Sequence, residues 1–133
     1  MHDSDTMASF SYVARELGKR KLAFLGVRES IDLSGDSRLS AETSLRHGPT
    51  LKREFQDAGG GAYIVNESFT KESALGVLRA GEADAVAWGQ WFLANPDLPR
   101  RFELNAPLNA PDVATFYSPG AEGYIDYPFL NEK

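Results

Sequence analysis

The sequence has 133 residues, 42% hydrophobic and 25% charged, and a formal net charge of −5, which fits one domain with a packed core and argues against a nucleic-acid partner. Cysteine is absent and the two histidines lie far apart, which excludes disulfides and thiolate metal sites and predicts no metal site. Neither a signal peptide nor a long apolar run is found, so we expect a cytoplasmic protein without a membrane span.

The first predicted element is an amphipathic helix that begins after a capping residue at Asp5 or Thr6. Gly18 and the basic residues at 19–21 are typical of a helix C-terminus. The next stretch, LAFLGV at 22–27, is apolar without alternation, which predicts a strand covered on both faces. The apolar positions of the helix recur at i, i+3, i+4 and i+7 and predict one buried stripe, made of Phe10, Val13, Ala14 and Leu17.

The middle of the sequence predicts a loop, a helix and a second strand. Residues 28–48 are rich in Ser, Asp, Gly and Arg, which is typical of a long loop. A short helix is predicted over 49–59, with proline near its start and glycine beyond its end. The glycines at 59–61 predict a flexible break, and AYIV at 62–65 predicts a second buried strand.

A turn at 66–69 leads into a third helix, which Thr70 caps and Gly81 ends. DAVAWG at 84–89 predicts a third buried strand, followed by one helix or two short helices to about Leu104. The third helix carries its apolar residues on one side, at Ala74, Leu75 and Leu78.

Alternating helices and apolar strands predict an α/β fold with a parallel sheet and right-handed crossovers. We predict one domain over 1–133, with βα units over 1–104 and an irregular tail over 105–133 that is rich in Pro, Gly and aromatic residues.

Four long stretches follow one another in the order found in a known enzyme family. They are YVARELGKRKLAFLGVRES, GAYIVNESFTKESA, ADAVAWGQ, and GQWFLANPDLPRRF with the tail NAPLNAPDVATFYSPGAEGYIDYP. Together they resemble the C-terminal third of the Old Yellow Enzyme family, which are FMN-dependent ene-reductases built on a (β/α)8 TIM barrel.

The resemblance implies that the strands are strands 6 to 8 of an incomplete barrel, because a complete barrel needs about 250 residues. An intact enzyme of this family reduces FMN with NAD(P)H and delivers a hydride to an activated alkene such as an enone or a nitroalkene. Its strands 1 to 5 supply the proton-donating tyrosine and the pair of residues that anchors the substrate. We therefore assign no catalytic residue to this sequence and expect the chain alone to be inactive.

The resemblance also implies a cofactor-binding set, because the loops after strands 7 and 8 of such barrels often hold a phosphate. Asn66, Glu67 and Ser68 follow strand 7, and Gly89 and Gln90 follow strand 8, so these five residues are predicted to bind the FMN phosphate. A competing interpretation is that Gly89 only turns the chain between a strand and a helix.

Two of these residues do not suit a phosphate. Family members commonly carry arginine or lysine where this sequence has Gln90, and a neutral amide weakens phosphate binding by about 1–2 kcal/mol. The carboxylate of Glu67 would repel the phosphate unless it points to solvent, and Glu67 is equally well interpreted as an exposed loop residue. FMN is therefore expected to bind weakly or to be lost.

Phe116 and Tyr117 match a Phe-Tyr pair of the family. The resemblance places Phe116 against the dimethylbenzene edge of the flavin and Tyr117 at the substrate rim. The alternative is that both aromatic rings anchor the tail.

Three parallel strands of a barrel leave two sheet edges and an inner face uncovered, and such edges pair with other chains. We expect self-association or pairing with a complementary N-terminal barrel fragment. A second hypothesis for function is a non-catalytic, oligomeric α/β half-barrel without flavin.

Overall fold

The structure, a computed structural model, describes residues 5–28 and 47–130. The chain divides into two compact units, residues 1–87 and residues 88–133, each with its own internal contacts. The loop predicted over 28–48 falls almost entirely on residues 29–46, which lie outside the described residues.

The described elements follow the predicted order of helices and strands. The third strand is shorter than its prediction, because its pairing with the second strand ends at Ala87. In chain order the elements are α1 (Thr6–Lys19), β1 (Phe24–Arg28), α2 (Gly48–Asp57), β2 (Ala62–Asn66), α3 (Lys71–Arg79), β3 (Ala85–Ala87), α4 (Gln90–Ala94), α5 (Leu98–Leu104) and a 3₁₀ turn (Val113–Thr115).

The three strands form one parallel sheet in the order β1-β2-β3, which confirms the predicted parallel α/β arrangement. The register pairs Arg28 with Asn66, and Asn66 with Ala87. The last residues of all three strands therefore meet at one edge, which we call the carboxyl edge of the sheet. This is the edge at which parallel α/β proteins place their binding sites.

One face of the sheet is packed and the other is open. Tyr63 and Val65 are 0% and 2% exposed, and α2 and α3 contact β2 and β3. On the opposite face Phe24 is 61% exposed. The prediction that β1 is covered on both faces is wrong for the described residues. An apolar run indicates that both faces of a strand are to be buried, but it does not indicate which part of a protein buries them.

Helix α1 packs through small residues, so the predicted stripe is only partly correct: Ala14 is buried and Leu17 partly buried, but Phe10 and Val13 are exposed. Phe10 and Val13 are 52% and 47% exposed, whereas Ser11, Ala14 and Gly18 are buried. A Cβ at Gly18 would overlap the backbone carbonyl oxygen of Phe55 in α2. Gly18 therefore allows two helices to approach closely, and it lies inside α1, which continues to Lys19 before its cap at Arg20.

The glycines at 59–61 are a tightly packed connection, and the prediction of a flexible break there is wrong. A Cβ at Gly60 would overlap the ring of Phe55, and a Cβ at Gly61 would overlap the carbonyl oxygen of Ala23. Gly59 follows the end of α2, as predicted, and has a φ of 107°.

Helix α3 begins with the predicted cap, since the Thr70 side chain accepts a hydrogen bond from the Ser73 amide. Its buried residues are Ala74 and Val77, while Leu75 and Leu78 are each 37% exposed, so the predicted apolar side is only partly correct.

Asp84 connects α2 to the amino ends of β2 and β3. Its carboxylate accepts hydrogen bonds from Lys52 Nζ (2.6 Å), Gln56 Nε2 (2.9 Å) and the backbone N–H of Tyr63 (2.7 Å). Partial desolvation raises the pKa of Asp84, but these donors together outweigh it, and the pKa lies below its ordinary value. This end of a barrel sheet is where stabilising contacts are expected.

The second unit is held together by buried polar side chains. Arg101 is 4% exposed, and its guanidinium donates to Asp97 Oδ1 (2.6 Å), Pro107 O (2.7 Å) and Pro128 O (2.8 Å). The other oxygen of Asp97 accepts from the Leu130 amide at 2.7 Å. One arginine therefore ties α5 to two separate segments of the irregular tail.

Asn95 forms a second connection of this kind. It is 0% exposed, and its Oδ1 accepts from the Asn109 amide at 2.7 Å. Asn109 in turn donates through Nδ2 to Ala94 O (2.8 Å) and Pro128 O (2.9 Å). In the described part of the irregular tail, the backbone carbonyl groups of Pro107 and Pro128 therefore have side-chain donors.

Candidate functional site

The turn after β2 has an unusual backbone at the carboxyl edge of the sheet. Asn66 ends the strand and donates from Nδ2 to Ala87 O at 2.9 Å. Glu67 and Ser68 follow with φ of 88° and 59°, two consecutive non-glycine residues in the left-handed region. This conformation is costly for residues with a Cβ, and such strain is found preferentially at ligand-binding sites.

The carboxylate of Glu67 is neutralised by Arg28. Arg28 Nε and Nη2 donate to the two carboxylate oxygens of Glu67, each at 2.9 Å, in a bidentate pair. The hydrogen bond from Arg28 lowers the pKa of Glu67, and the same pair raises the pKa of Arg28. Glu67 is therefore neither turned freely to solvent nor an isolated charge at the turn.

Gly89 and Gln90 begin the second unit's first helix. Gly89 is exposed and has a φ of −84°, a conformation open to any residue. No atom of the described chain would lie within 4 Å of an added Cβ. Gly89 lies between β3 and α4, where the chain turns from strand to helix, and neither its backbone conformation nor crowding by the described neighbours requires glycine.

The two aromatic residues of the tail pair differ in burial. Phe116 is half-buried at the end of the 3₁₀ turn, whereas Tyr117 is 99% exposed. The alternative that both rings anchor the tail is therefore wrong for Tyr117 within the described residues. The tail is fixed by other groups, since Tyr127 Oη accepts from the Asp112 amide at 2.8 Å and Asp126 accepts from the Gly123 amide at 2.8 Å.

Among the described residues no group of three or more His, Asp and Glu side chains could hold a metal ion. Within the same residues no helix is long and apolar enough to cross a membrane.

The chain is similar to known alkene reductases over nearly its whole length. It is 39% identical to a putative 12-oxophytodienoate reductase 12 of Oryza sativa subsp. japonica, matching 98% of this chain and 32% of that protein. It is 38% identical to a probable flavin mononucleotide-dependent alkene reductase of Leishmania infantum, over 96% of this chain and 32% of that protein. No profile of a known protein family matches.

Solved structures of similar enzymes match the fold of the chain as well. The chain superposes on morphinone reductase with a TM-score of 0.78 and 37% identity, over 97% of this chain and 32% of that one. A structure of morphinone reductase in complex with tetrahydroNAD gives a TM-score of 0.75 at 36% identity, over 98% of this chain and 32% of that one. Over the part that it spans, the chain matches proteins of the Old Yellow Enzyme family. It spans about a third of the length of the relatives it matches, and its parallel sheet corresponds to part of the family's TIM barrel.

The structure places the predicted cofactor residues in two groups. Asn66, Glu67 and Ser68 lie in the first unit at the carboxyl edge. The family resemblance predicts FMN binding at this edge. Gly89, Gln90, Phe116 and Tyr117 lie in the second unit.

Sequence reasoning missed the contact of Arg28 with the turn at Glu67. Its pairing with Glu67 spans 39 positions, and only the register between β1 and β2 brings the two side chains together. A signal was present, because Arg28 directly follows an apolar strand, and residues at that point of a parallel sheet lie at the binding edge.

Proposed function

We propose that this chain supplies the phosphate side of the FMN site in an NAD(P)H-dependent alkene reductase. In this proposal β1, β2 and β3 are strands 6, 7 and 8 of the barrel. The observation that carries the proposal is the strained turn at Glu67 and Ser68, which lies where the family resemblance predicts a phosphate.

The described residues fit an FMN phosphate in three respects. The turn at Glu67 and Ser68 lies at the carboxyl edge of the sheet, and turn backbone of this kind can present N–H groups to an anion. Glu67, the one carboxylate of the predicted set, is already neutralised by Arg28. The free space around Gly89 leaves room for an oxyanion to approach the backbone closely.

When bound, FMN supplies the hydride transfer from NAD(P)H to the β-carbon of an activated alkene such as an enone or a nitroalkene. The residues of this chain bind and orient the cofactor in that reaction. The family resemblance assigns Asn66 and Ser68 of the first unit to the phosphate, and it assigns Gly89, Gln90 and Phe116 of the second unit to the same cofactor, Gln90 as a neutral N–H donor and Phe116 at the flavin ring. Tyr117, with its ring fully exposed, takes part in the substrate rim.

Replacing Gly89 with alanine tests the phosphate contact. The added methyl group meets nothing in the described chain, so stability should be unchanged, while the affinity for FMN should fall about tenfold because the backbone is kept away from the phosphate. Fluorescence quenching of FMN on titration with the purified chain measures the affinity.

Gly76→Ala is the matched control, because Gly76 is also exposed with no atom within 4 Å of an added Cβ. Equal FMN affinities for the Gly89→Ala, Gly76→Ala and unchanged chains would contradict the assignment of Gly89. A chain that binds no flavin at all would favour the non-catalytic half-barrel.

We further propose that the open sheet face and the outer edges of β1 and β3 are covered by other barrel strands. Among the described residues each of these two strands pairs only with β2, and Phe24 on the open face is 61% exposed. Exposed edges and apolar faces of this kind associate with further strands. Strands equivalent to 1 to 5 of the barrel are the fitting partner, and self-association of this chain is the alternative result of a mixing experiment.

A further inference from the structure

The backbone around the aromatic pair of the tail is held by hydrogen bonds, although the ring of Tyr117 is 99% exposed. Before the pair, the 3₁₀ turn begins at Asp112, whose side chain caps it. After the pair, the hydroxyl of Ser118 donates to the carbonyl oxygen of Thr115 at 2.9 Å. The chain is therefore fixed on both sides of Phe116 and Tyr117.

A later segment of the tail, residues 123–128, contacts this turn at two points. The hydroxyl oxygen of Tyr127 accepts a hydrogen bond from the Asp112 amide at 2.8 Å. Gly123 is buried with a φ of 69°, and a Cβ there would overlap the side chain of Thr115. Thr115 donates from Oγ1 to Asp112 O at 2.9 Å. Both ends of the turn are thus in contact with the 123–128 segment.

The 123–128 segment is itself attached to the helical part of the second unit. The carbonyl oxygen of Pro128 accepts from Arg101 Nη2 at 2.8 Å and from Asn109 Nδ2 at 2.9 Å. Arg101 lies in α5 and is buried. The segment therefore connects α5 to the turn that precedes the aromatic pair.

A fixed backbone beneath an exposed aromatic ring is expected of a residue that contacts a ligand. Ordering a loop or a side chain on binding costs free energy, and holding it in place beforehand lowers that cost. Contacts that served stability alone would be expected to bury the ring, because a buried aromatic ring contributes a large apolar area. The hydrogen bonds around Tyr117 fix the backbone and leave the ring exposed.

We propose that Tyr127 and Gly123 are positioning residues for Phe116 and Tyr117. Tyr127 acts through its hydroxyl, and Gly123 acts by having no side chain. Together they keep Phe116 in the orientation that packs against the flavin ring and Tyr117 in the orientation of the substrate rim. This inference rests on the proposed function, which supplies the two roles of the pair.

The first variant is Tyr127→Phe, which removes the hydroxyl oxygen and keeps the ring. Asp112 is exposed, so water replaces the lost acceptor and the urea midpoint of the second unit should stay nearly unchanged. The turn should open more often, and chymotrypsin should cleave after Phe116 or Tyr117 about fivefold faster, as the loss of one hydrogen bond predicts. Mass spectrometry of timed digests measures the cleavage.

Flavin binding tests what the connection is for. Tyr127→Phe should weaken the binding of FMN to the purified chain about threefold to fivefold, by the same loss of preorganisation. The visible circular dichroism of bound FMN should also change, because these bands report the surroundings of the flavin ring, and a contact that only stabilises the tail would not alter them. Tyr124→Phe is the matched control, since it removes a hydroxyl from a 68% exposed tyrosine of the same segment. It should leave cleavage, affinity and spectrum unchanged.

Gly123→Ala disturbs the turn by a second route, because the added methyl group overlaps Thr115. Gly120→Ala is its control, since Gly120 also has a positive φ, of 109°, but no atom of the described chain lies within 4 Å of an added Cβ. We expect Gly123→Ala to speed cleavage and weaken FMN binding more than Gly120→Ala does. Urea unfolding checks that the second unit of each variant is folded.

Each remaining outcome decides the inference. If neither variant speeds cleavage, the 123–128 segment does not hold the turn and the inference fails. If the unchanged chain binds FMN while Tyr127→Phe and Gly123→Ala keep its affinity and its visible spectrum, the inference fails and the proposed function stands. If the unchanged chain binds no FMN, both fail together.

Discussion

Replacing Arg101 with methionine is expected to lower the free energy of unfolding of the second unit by about 3–5 kcal/mol. The substitution keeps an apolar stem of similar length but removes three hydrogen bonds. Asp97 loses its buried partner, and the carbonyl groups of Pro107 and Pro128 lose their donors. Leaving a buried polar group without a partner costs more free energy than its hydrogen bond contributes to net stability.

Urea unfolding followed by tryptophan fluorescence measures this effect, because both tryptophans of the chain, Trp88 and Trp91, lie in the second unit. Arg100→Met is the control at the neighbouring position. Arg100 pairs with Glu103 on the surface, where an ion pair is worth at most about 1 kcal/mol. Similar losses for the two variants would show that Arg101 does not fix the tail.

The second large effect is expected at Asp84. Asp84→Asn should destabilise the first unit by about 1–2 kcal/mol at pH 7, after allowance for solvent screening, since the side chain is 36% exposed. The amide keeps the shape, but it loses the charge that faces Lys52, and its NH₂ group meets donors where the carboxylate accepted hydrogen bonds.

The effect of Asp84→Asn should depend on pH in a defined direction. The pKa of Asp84 is lower in the folded than in the unfolded chain, where it is about 3.9. The carboxylate therefore contributes its full stability above the unfolded value and loses it as the pH falls through the folded value. Unfolding curves by circular dichroism should differ at pH 7 and converge as the pH falls below the folded pKa of Asp84.

Asp57→Asn provides the control for this titration, because Asp57 is exposed at the end of α2 and its loss should change stability by less than about 0.5 kcal/mol. A difference between Asp84→Asn and the unchanged chain that persists undiminished after the carboxyl group of Asp84 is protonated in the folded chain would show that the charge of Asp84 is not what stabilises the sheet.

Element order and sheet type could be predicted from the sequence because they depend on local signals. Apolar runs alternate with capped helices, and Thr70 is a cap both in the sequence and in the structure. The buried side of α1 could not be predicted in the same way. Phe10 and Val13 fit a helical stripe, but the contact with α2 selects the small residues Ala14 and Gly18. Which side of a helix is buried depends on its neighbour.

The polar contacts of the second unit also differ in whether the sequence indicates them. Asp97 and Arg101 are four residues apart on one helical turn, a spacing that sequence reading can recognise as a pair. The contact between Asn95 and Asn109 joins positions 14 apart through irregular chain, and no sequence period indicates it.

The candidate site was only partly predictable. The family resemblance located the turn at Asn66, Glu67 and Ser68, but nothing in glutamate or serine indicates a left-handed backbone. The ion pair of Arg28 with Glu67 depends on strand register, which brings two residues 39 positions apart into contact. Composition and motif spacing do not contain that information.

The most direct test of this account is to mix the chain with the N-terminal two thirds of a related alkene reductase, produced separately. We predict a one-to-one complex by light scattering that keeps FMN after desalting and, in the absence of oxygen, oxidises NADH or NADPH only when an enone is present. If the two pieces stay apart, and this chain alone is a compact monomer without flavin, then these strands do not complete a flavin-binding barrel.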